Sequence, residues 1–154
     1  MTGSVTASVP TANTYVCQGK LLSDQVTVSG ADTIIQFSDD FDPNNWWDAG
    51  TYRFTPTVSG YYSISGGAWL ENPGTTAGQA NLQARKNGNT FAIVQLPLNS
   101  VTGITFTFSK IVYFNGSTDY MDFTLYQNSG ANKNILYGTV SGSGTWFSAF
   151  LITM

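Results

Sequence analysis

The chain has 154 residues, of which 14% are aromatic, 16 are glycine and only 10% are charged. This length predicts a single domain with a substantial core, and the composition favours strands joined by tight turns over helices. The formal net charge is −3 and the Lys and Arg residues are not clustered. That charge distribution argues against a nucleic-acid partner, because phosphate binding needs grouped cations.

Two residue counts bear on catalysis. The sequence contains no histidine, so it lacks the usual general base at neutral pH, the commonest zinc ligand and any Ser-His-Asp arrangement. Cys17 is the single cysteine, so neither an intrachain disulfide nor a thiolate metal cluster can form. We therefore expect a non-enzymatic protein in which Cys17 is a small buried hydrophobe.

The N-terminal segment, residues 1–30, begins with an uncharged stretch rich in Thr, Ser and Ala. We predict an arm or attachment segment with at most one short strand, at 26–28, followed by a single β domain over residues 31–154. The segment starts with neither a basic region nor an apolar one, and no apolar run in the chain is long enough to span a membrane. The expectation is a chain made in the cytoplasm without a signal peptide, and with no membrane partner.

Residues 37–70 form the block around which the strand pattern is organised. Two runs within it, 51–55 and 61–70, alternate in polarity and are separated by a turn. Because side chains alternate across a strand, Tyr52 and Phe54 are expected on one face of the first run. One face of the second run is expected to hold Tyr62, Ile64, Gly66, Ala68 and Leu70.

Later strands follow at regular spacing. Asn87-Gly88 and Asn115-Gly116 are strong hairpin signals. In the strand at 102–114 Lys110 interrupts the apolar row, and the last strand, 146–152, is predicted to be buried on both faces. About nine or ten strands without helical periodicity predict an all-β antiparallel jelly-roll sandwich. The other predicted strands cover residues 33–37, 80–86, 91–96, 120–127 and 135–140.

One loop of the central block concentrates polar side chains that could bind a ligand. Its oxygen atoms could hold Ca²⁺, which takes roughly six to eight of them, although the spacing is not that of an EF-hand. Alternatively, Trp46 and Trp47 could stack on a sugar, or they could be core residues that anchor a loop of turn-forming residues. No cofactor is expected unless this loop binds calcium. The calcium candidates are Asp39, Asp40, Asp42 and Asp48, and the candidate ligand loop is Asn44, Asn45, Trp46 and Trp47.

Five segments carry a resemblance to a known family: 49–55, 59–64, 86–88, 113–121 and 145–151. In their order and spacing, and over residues 33–153, the chain resembles the globular domain of the complement C1q and tumour necrosis factor superfamily. The resemblance implies a jelly roll of about ten strands that packs as a compact homotrimer about a threefold axis. The variant found in bacteriophage virions fits best, because the chain has no collagen-like stalk, secretion signal or disulfide.

The strand at 120–127 has a second face that is too aromatic for plain solvent surface. Aromatic side chains and Arg are enriched in interface cores, so we predict that this face forms the trimer interface together with the strand at 80–86. Arg85 is expected to pair with a carboxylate there, with Asp122 as the first candidate. The alternative is that these side chains form the rim of a monomer. The predicted interface residues are Tyr120, Asp122, Thr124, Tyr126, Gln83 and Arg85.

The resemblance implies a viral structural protein, and we expect a trimeric decoration or cement protein that attaches to a phage head and stabilises it. A trimer matches local threefold axes between capsomers, and the N-terminal arm would bind the major capsid protein on the capsid surface of the virion. The alternative function is a fibre-tip receptor-binding module that recognises a host surface glycan or protein through loops 39–48 and 72–78. A bacterial surface adhesion or spore-coat module is a third hypothesis.

Overall fold

The computed structural model of the chain describes residues 14–72, 74, 77–99, 102–138 and 144–154. In this part of the chain the regular structure consists of strands, and no helix there is long and apolar enough to cross a membrane. Numbered in chain order, the strands are β1 (Val16–Lys20), β2 (Gln25–Thr27), β3 (Asp32–Ile34), β4 (Ser38–Phe41), β5 (Trp47–Asp48), β6 (Arg53–Phe54), β7 (Gly60–Leu70), β8 (Gln79–Lys86), β9 (Asn89–Pro97), β10 (Ile104–Phe114), β11 (Met121–Gln127), β12 (Lys133–Leu136) and β13 (Trp146–Thr153).

The strands form two antiparallel sheets. In the first sheet the order is β2-β12-β7-β13-β1-β4. β10 pairs with β7 along its whole length, while β12 and β13 pair with different parts of β7. In the second sheet the order is β5-β6-β11-β8-β9, and β3 pairs with β11 beside β6. The sheets enclose one core, which confirms the predicted all-β antiparallel sandwich. The structure has more strands than predicted because the sequence did not reveal β1, β4 and β5, of which β4 and β5 hold only four and two residues.

The core is held by aromatic side chains contributed by both sheets. Phe147 of β13 and Phe123 of β11 meet across the sandwich with their ring centroids 5.3 Å apart. Phe37 packs edge-on against both rings, at 5.1 Å from Phe147 and 5.5 Å from Phe123. Such pairs add about 0.5–1.5 kcal/mol each beyond the burial of their area. The inward row of β7 lies in the same core and is fully buried, as alternation predicts: Tyr62, Ile64, Ala68 and Leu70.

The last strand departs from its prediction. The sequence predicts burial on both faces of β13, but a single chain covers only one of them. Phe147, Ala149 and Leu151 are buried, whereas Phe150 and Ile152 are 43% and 49% exposed. A strand in a two-layer sandwich buries only one face within its own domain, so the prediction is wrong for the single chain. The second face of β13 remains apolar and uncovered.

Both predicted Asn-Gly turns are present. Asn87 and Gly88 join β8 to β9 with φ angles of 52° and 79°, the pattern of a type I′ turn whose twist matches that of the flanking strands. The turn at Asn115-Gly116 ends β10 in a different way. There the side-chain oxygen of Asn115 accepts hydrogen bonds from the backbone N–H groups of residues 117–119.

The strand predicted at 51–55 is shorter in the structure, where β6 holds only Arg53 and Phe54. Tyr52 has a φ of 56°, a left-handed conformation that bulky side chains rarely adopt. Because this conformation interrupts the extended backbone, Tyr52 does not continue the alternation of β6. The expectation that Tyr52 and Phe54 share one strand face is therefore wrong.

Residues 14–30 contain two strands where the sequence predicts at most one. β2 corresponds to the strand predicted at 26–28, and it pairs with β12. β1 lies inside the first sheet between β13 and β4, so these residues belong to the jelly roll rather than to an arm. The sequence does not reveal β1, because its five residues include a glycine and its partner β13 lies at the other end of the chain. Residues 1–13 lie outside the described residues.

The ends of β3 and β12 differ from the predicted ones. β3 ends at Ile34 and β12 covers Lys133–Leu136, while residues 139–140 of the predicted strand at 135–140 lie outside the described residues.

Lys110 is exposed on β10, which pairs with β7 and forms an edge of the first sheet. A charge on an edge strand opposes the edge-to-edge pairing of strands, which accounts for the one lysine in this apolar row.

Replacing Phe123 by Ala should lower the free energy of unfolding by about 3–5 kcal/mol, because the change removes a buried ring that packs against both sheets. Chemical denaturation followed by fluorescence measures the loss. Ile93→Ala is the matched control: Ile93 is 55% exposed on β9, so its loss should stay within about 0.5 kcal/mol. Equal losses in the two variants would contradict the central position of Phe123.

Candidate interaction surfaces

The predicted interface residues lie close together on the second sheet. β8 and β11 are neighbours in antiparallel register, and directly opposed residues of such a pair point to the same face. Tyr120 precedes the first residue of β11 and stacks under the Arg53 guanidinium, 3.9 Å from the ring centroid. The opposed pairs are Asp122 with Arg85, Thr124 with Gln83, and Tyr126 with Asn81.

Arg85 and Asp122 form the ion pair that the sequence predicts. The Arg85 Nε donates to Asp122 Oδ1 at 2.7 Å, and the Asp122 side chain is only 3% exposed. The hydrogen bond with Asp122 raises the pKa of Arg85 above its ordinary value, so the guanidinium stays charged. A carboxylate at this depth needs such a partner, because an unpaired buried charge is costly.

Most of the other polar groups on this face are satisfied within the chain. The Gln83 amide donates to Asp32 Oδ1 at 3.1 Å and to Asn81 Oδ1 at 3.0 Å. Its oxygen accepts from the Thr90 hydroxyl at 2.7 Å. Thr124 is fully buried, and its hydroxyl has no partner among the described residues. Polar groups that are already hydrogen-bonded gain little from contact with a second chain. The hydrogen bonds on this face therefore give the predicted interface no support.

The loop that could have offered tryptophans to a sugar buries them instead. Trp46 and Trp47 are 2% and 9% exposed, and their indole N–H groups donate within the chain at 2.9 and 3.1 Å. Asn44 donates to the Thr14 carbonyl at 2.6 Å, and Asn45 occupies a turn with a φ of 54°. Buried rings cannot stack on a sugar, so the structure does not support Trp46 and Trp47 as a sugar platform. The two rings are core residues, as the alternative interpretation predicts, and the candidate ligand loop keeps only Asn44 and Asn45 outside the core.

The carboxylates of the calcium hypothesis make separate local contacts. Asp48 accepts from the Thr51 hydroxyl at 2.8 Å, and this bond lowers the pKa of Asp48 below its ordinary value. Asp42 accepts from a backbone N–H of the same loop at 2.7 Å, and Asp40 forms an ion pair with Lys20. Within the described ranges no three acidic, His or Cys side chains are grouped to hold a metal ion. The structure thus does not bring together Asp39, Asp40, Asp42 and Asp48.

A polar cluster joins the two Asn-Gly turns. Asp119 receives hydrogen bonds from Lys86 Nζ and from Asn87 Nδ2, both at 2.7 Å. It also accepts from the backbone N–H of Asn115 at 2.9 Å. Burial alone would raise the pKa of Asp119, but the bonds from Lys86 and Asn87 outweigh it and lower the pKa below its ordinary value. These bonds hold the β8–β9 hairpin against the turn that follows β10.

Cys17 is fully buried on β1, as the sequence predicts. Its burial raises the pKa of the thiol, and the nearby charges of Asp42 and Asp39 raise it further. Since the thiolate is the reactive form of cysteine, this side chain is chemically inert in the folded chain.

The outer face of the first sheet carries an apolar patch that the sequence analysis did not single out. It spans three adjacent strands, because Tyr113 of β10 is opposite Tyr61 of β7 and Phe150 of β13 is opposite Ser63 of β7. The signal was present in the sequence as the second alternating row of the strands at 102–114 and 146–152. The patch consists of Tyr61 (51% exposed), Ile111 (63%), Tyr113 (47%), Phe150 (43%) and Ile152 (49%).

The fold resembles several solved structures, whereas no family model and no curated protein sequence matches the chain. Murine APRIL at pH 5.0 aligns with a TM-score of 0.65 and 12% identity, over 89% of this chain and 98% of that one. Eiger TNF from S. frugiperda gives 0.67 and 5%, over 90% and 92%. The PRD1 vertex protein P5 gives 0.62 and 19%, over 93% and 100%.

The chain has a TNF-like jelly-roll fold. This likeness confirms the fold class that the sequence resemblance implies. Identities of 5–19% concern the fold alone, and one fold can serve many functions. The function of this TNF-like jelly roll must therefore be argued from its own surfaces.

The Arg85–Asp122 pair can be tested with a double-mutant cycle in the TNF-like jelly roll. Asp122→Leu and Arg85→Met should each lower the free energy of unfolding by about 1–3 kcal/mol, because each leaves a buried polar group without its partner. The double variant should lose less than the two single losses combined. Urea denaturation supplies all three values, and strictly additive losses would show that the two side chains do not interact.

The stability of the fold should depend on pH through the carboxylate of Asp119. Its pKa is lower in the folded chain than in the unfolded chain, where it is about 3.9. The carboxylate therefore stabilises the fold above that pH, and the contribution is lost as the pH falls through the folded-state pKa. Asp119→Asn should be less stable than wild type near neutral pH and should lose less stability on acidification. Thermal unfolding of wild type and Asp119→Asn, from neutral pH down to below about pH 3.9, measures both differences. Melting temperatures that fall in parallel for the two proteins would contradict this role of Asp119.

Proposed function

We propose that this chain is a non-enzymatic structural protein of a bacteriophage virion, a homotrimer that decorates and stabilises the capsid. The apolar patch carries the proposal. Its five large side chains are exposed on one face of the folded chain, and exposed patches of this kind mark association sites. The fold-level likeness to the PRD1 vertex protein P5 supports a place in a virion by analogy.

The composition of the apolar patch suits contact with other copies of this chain. It contains Tyr, Phe and Ile without a charged side chain, and interface cores are enriched in aromatic residues and depleted of charge. Tyr61 and Tyr113 already pack against each other with ring centroids 5.4 Å apart. A row of small side chains borders the patch across the same three strands: Ser65, Ser109 and Ser148.

A threefold assembly joins two different surfaces, because the contacts of a cyclic trimer run head to tail. The apolar patch is the first surface. The second is the side of the sandwich where β9 and β10 lie next to each other, with the partly buried Phe91, Phe108 and Val112. We place the patch of each chain against this side of the next chain. The number of chains in the assembly, three, is inferred from the family resemblance.

Attachment to the shell is assigned to the start of the chain, with the major capsid protein as the partner. Because β1 lies within the first sheet, the proposed attachment segment narrows from residues 1–30 to residues 1–13. A trimer carries three copies of this segment, so weak individual contacts add up to strong attachment. The protein would be made in the host cytoplasm and act on the capsid surface.

The alternative function is a fibre-tip module that binds a host surface glycan or protein. One of its two proposed loops, 39–48, is occupied by buried tryptophans and local turns. The other, 72–78, is only partly described. The observation that favours this alternative is a groove beside Trp146 on the first sheet.

Phe150→Asp should dissociate the assembly, because it would bury an unpaired carboxylate at every contact. Sedimentation velocity should show single chains for this variant at concentrations where wild type sediments as a trimer. Ile34→Asp is the matched control, since Ile34 is 39% exposed against 43% for Phe150 but lies on β3 of the second sheet, away from both proposed contact surfaces. An intact Phe150→Asp assembly that is instead broken by Tyr126→Asp, a change at a partly exposed residue of β11, would place the interface on the second sheet.

Removing residues 1–13 should abolish attachment to capsids while leaving the trimer unchanged, since β1 and every described strand contact remain. Co-sedimentation of purified protein with capsids that lack it measures attachment, and sedimentation of the protein alone measures assembly. Retained attachment of the shortened trimer would contradict the role of this segment.

A further inference from the structure

The outer face of the first sheet also holds a tryptophan at the end opposite the apolar patch. The Trp146 indole lies across Gly67 of the neighbouring strand: a Cβ atom on Gly67 would be 3.1 Å from the indole Nε1 and 3.4 Å from Cε2. Glycine at this position therefore lets the ring lie close to the sheet. Unlike Trp46 and Trp47, Trp146 remains partly exposed.

Trp146 also lines a groove of about 210 Å³, together with residues of β1 and β4. Trp146 pairs with Lys20 across β13 and β1, and Ser148 pairs with Gln18. Lys20 Nζ lies 2.5 Å from Asp40 Oδ1, and their side chains are 21% and 45% exposed. The groove thus combines one indole with an ammonium, a carboxylate, an amide and a hydroxyl, all on its lining.

We propose that this groove binds one pyranose ring of a neutral glycan. A sugar ring has an apolar C–H face that packs on an indole, and a rim of hydroxyls that both donate and accept hydrogen bonds. Trp146 supplies the stacking surface, Lys20 donates to a hydroxyl and Asp40 accepts from its neighbour. The ammonium and carboxylate balance, so the lining selects neither an acidic nor a basic sugar.

The size and position of the groove agree with one terminal sugar. Pockets for drug-sized ligands occupy roughly 300–1,000 Å³, so the groove accommodates a smaller group. It lies on the β1 and β4 side of β13, whereas the apolar patch extends from β13 to β7 and β10. Glycan binding therefore uses residues that the proposed self-association does not, and either can be present without the other.

Titration of the full-length protein with methyl glycosides of glucose, galactose, mannose and N-acetylglucosamine tests the proposal. The indole N–H signal of Trp146, assigned from a Trp146→Phe variant, is followed by NMR. At least one glycoside should shift this signal with saturation and a Kd on the order of 1 mM, as expected for a one-ring ligand. The trimer should bind it without dissociating.

Variants separate specific binding from loose stacking. Trp146→Ala should abolish saturation, and Lys20→Met and Asp40→Asn should each raise the Kd by about tenfold or more, as the loss of a charge-assisted hydrogen bond predicts. Binding to these variants is followed on the sugar signals by saturation transfer. Phe150→Ala, which alters the apolar patch, should leave the Kd unchanged.

Absence of a saturable shift with all four glycosides would overturn the proposal. Binding that survives Trp146→Ala, or that is insensitive to both Lys20→Met and Asp40→Asn, would do the same. Trp146→Phe keeps a stacking ring and should retain weakened binding. Circular dichroism of Trp146→Ala separates loss of the ring from unfolding, and if that variant is unfolded, the weakened binding of Trp146→Phe carries the test. Failure of these tests would leave the proposed capsid role untouched, because that role depends on residues 1–13 and the apolar patch.

Discussion

The contact between Phe123 and Phe147 is the interaction on which the rest of this structure depends. It joins the central strand of the second sheet to β13 of the first, and Phe37 closes the cluster from a connecting segment. Because alternate residues of a strand point to opposite sides, setting these rings inward also determines which side chains point outward. Every surface considered for function follows from this orientation.

The two outer faces that result are chemically different. On the second sheet the outward residues of β8 and β11 pair with one another, and the Arg85–Asp122 bond and the amide contacts of Gln83 satisfy most polar atoms within one chain. On β7, β10 and β13 of the first sheet the outward residues are aromatic, aliphatic or small, and the five of the apolar patch are exposed in the single chain. The polar groups on the second sheet are thus mostly paired within the chain, whereas the first sheet leaves an apolar surface exposed.

Sequence patterns predicted the features that depend on local chemistry. The inward row of β7, the hairpin at Asn87-Gly88 and the Arg85–Asp122 pair follow from alternation, turn geometry and charge. The failures have non-local causes. β1 is recognisable only beside β13, and Tyr52 leaves its strand through a backbone conformation that residue type does not signal.

The candidate sites show the same limit. Trp46 and Trp47 stand among Asp and Asn in the sequence, and only the packing of the loop shows that both rings enter the core. For β13, the apolar composition predicted burial of both faces, whereas the single chain buries only one of them. The trimer interface predicted on β8 and β11 stays a prediction. Most polar groups there are paired within the chain, whereas the apolar patch leaves large side chains exposed.

Light scattering of the full-length chain over a range of concentrations is the most direct test of the central claim that the uncovered face of the first sheet is buried against other copies. The account predicts a mass of three chains that persists on dilution and is unchanged when residues 1–13 are removed. A mass of one chain at all concentrations would contradict it. The exposed side chains of Tyr61, Tyr113 and Phe150 would then be ordinary surface, and the threefold argument for a place on the capsid would be lost.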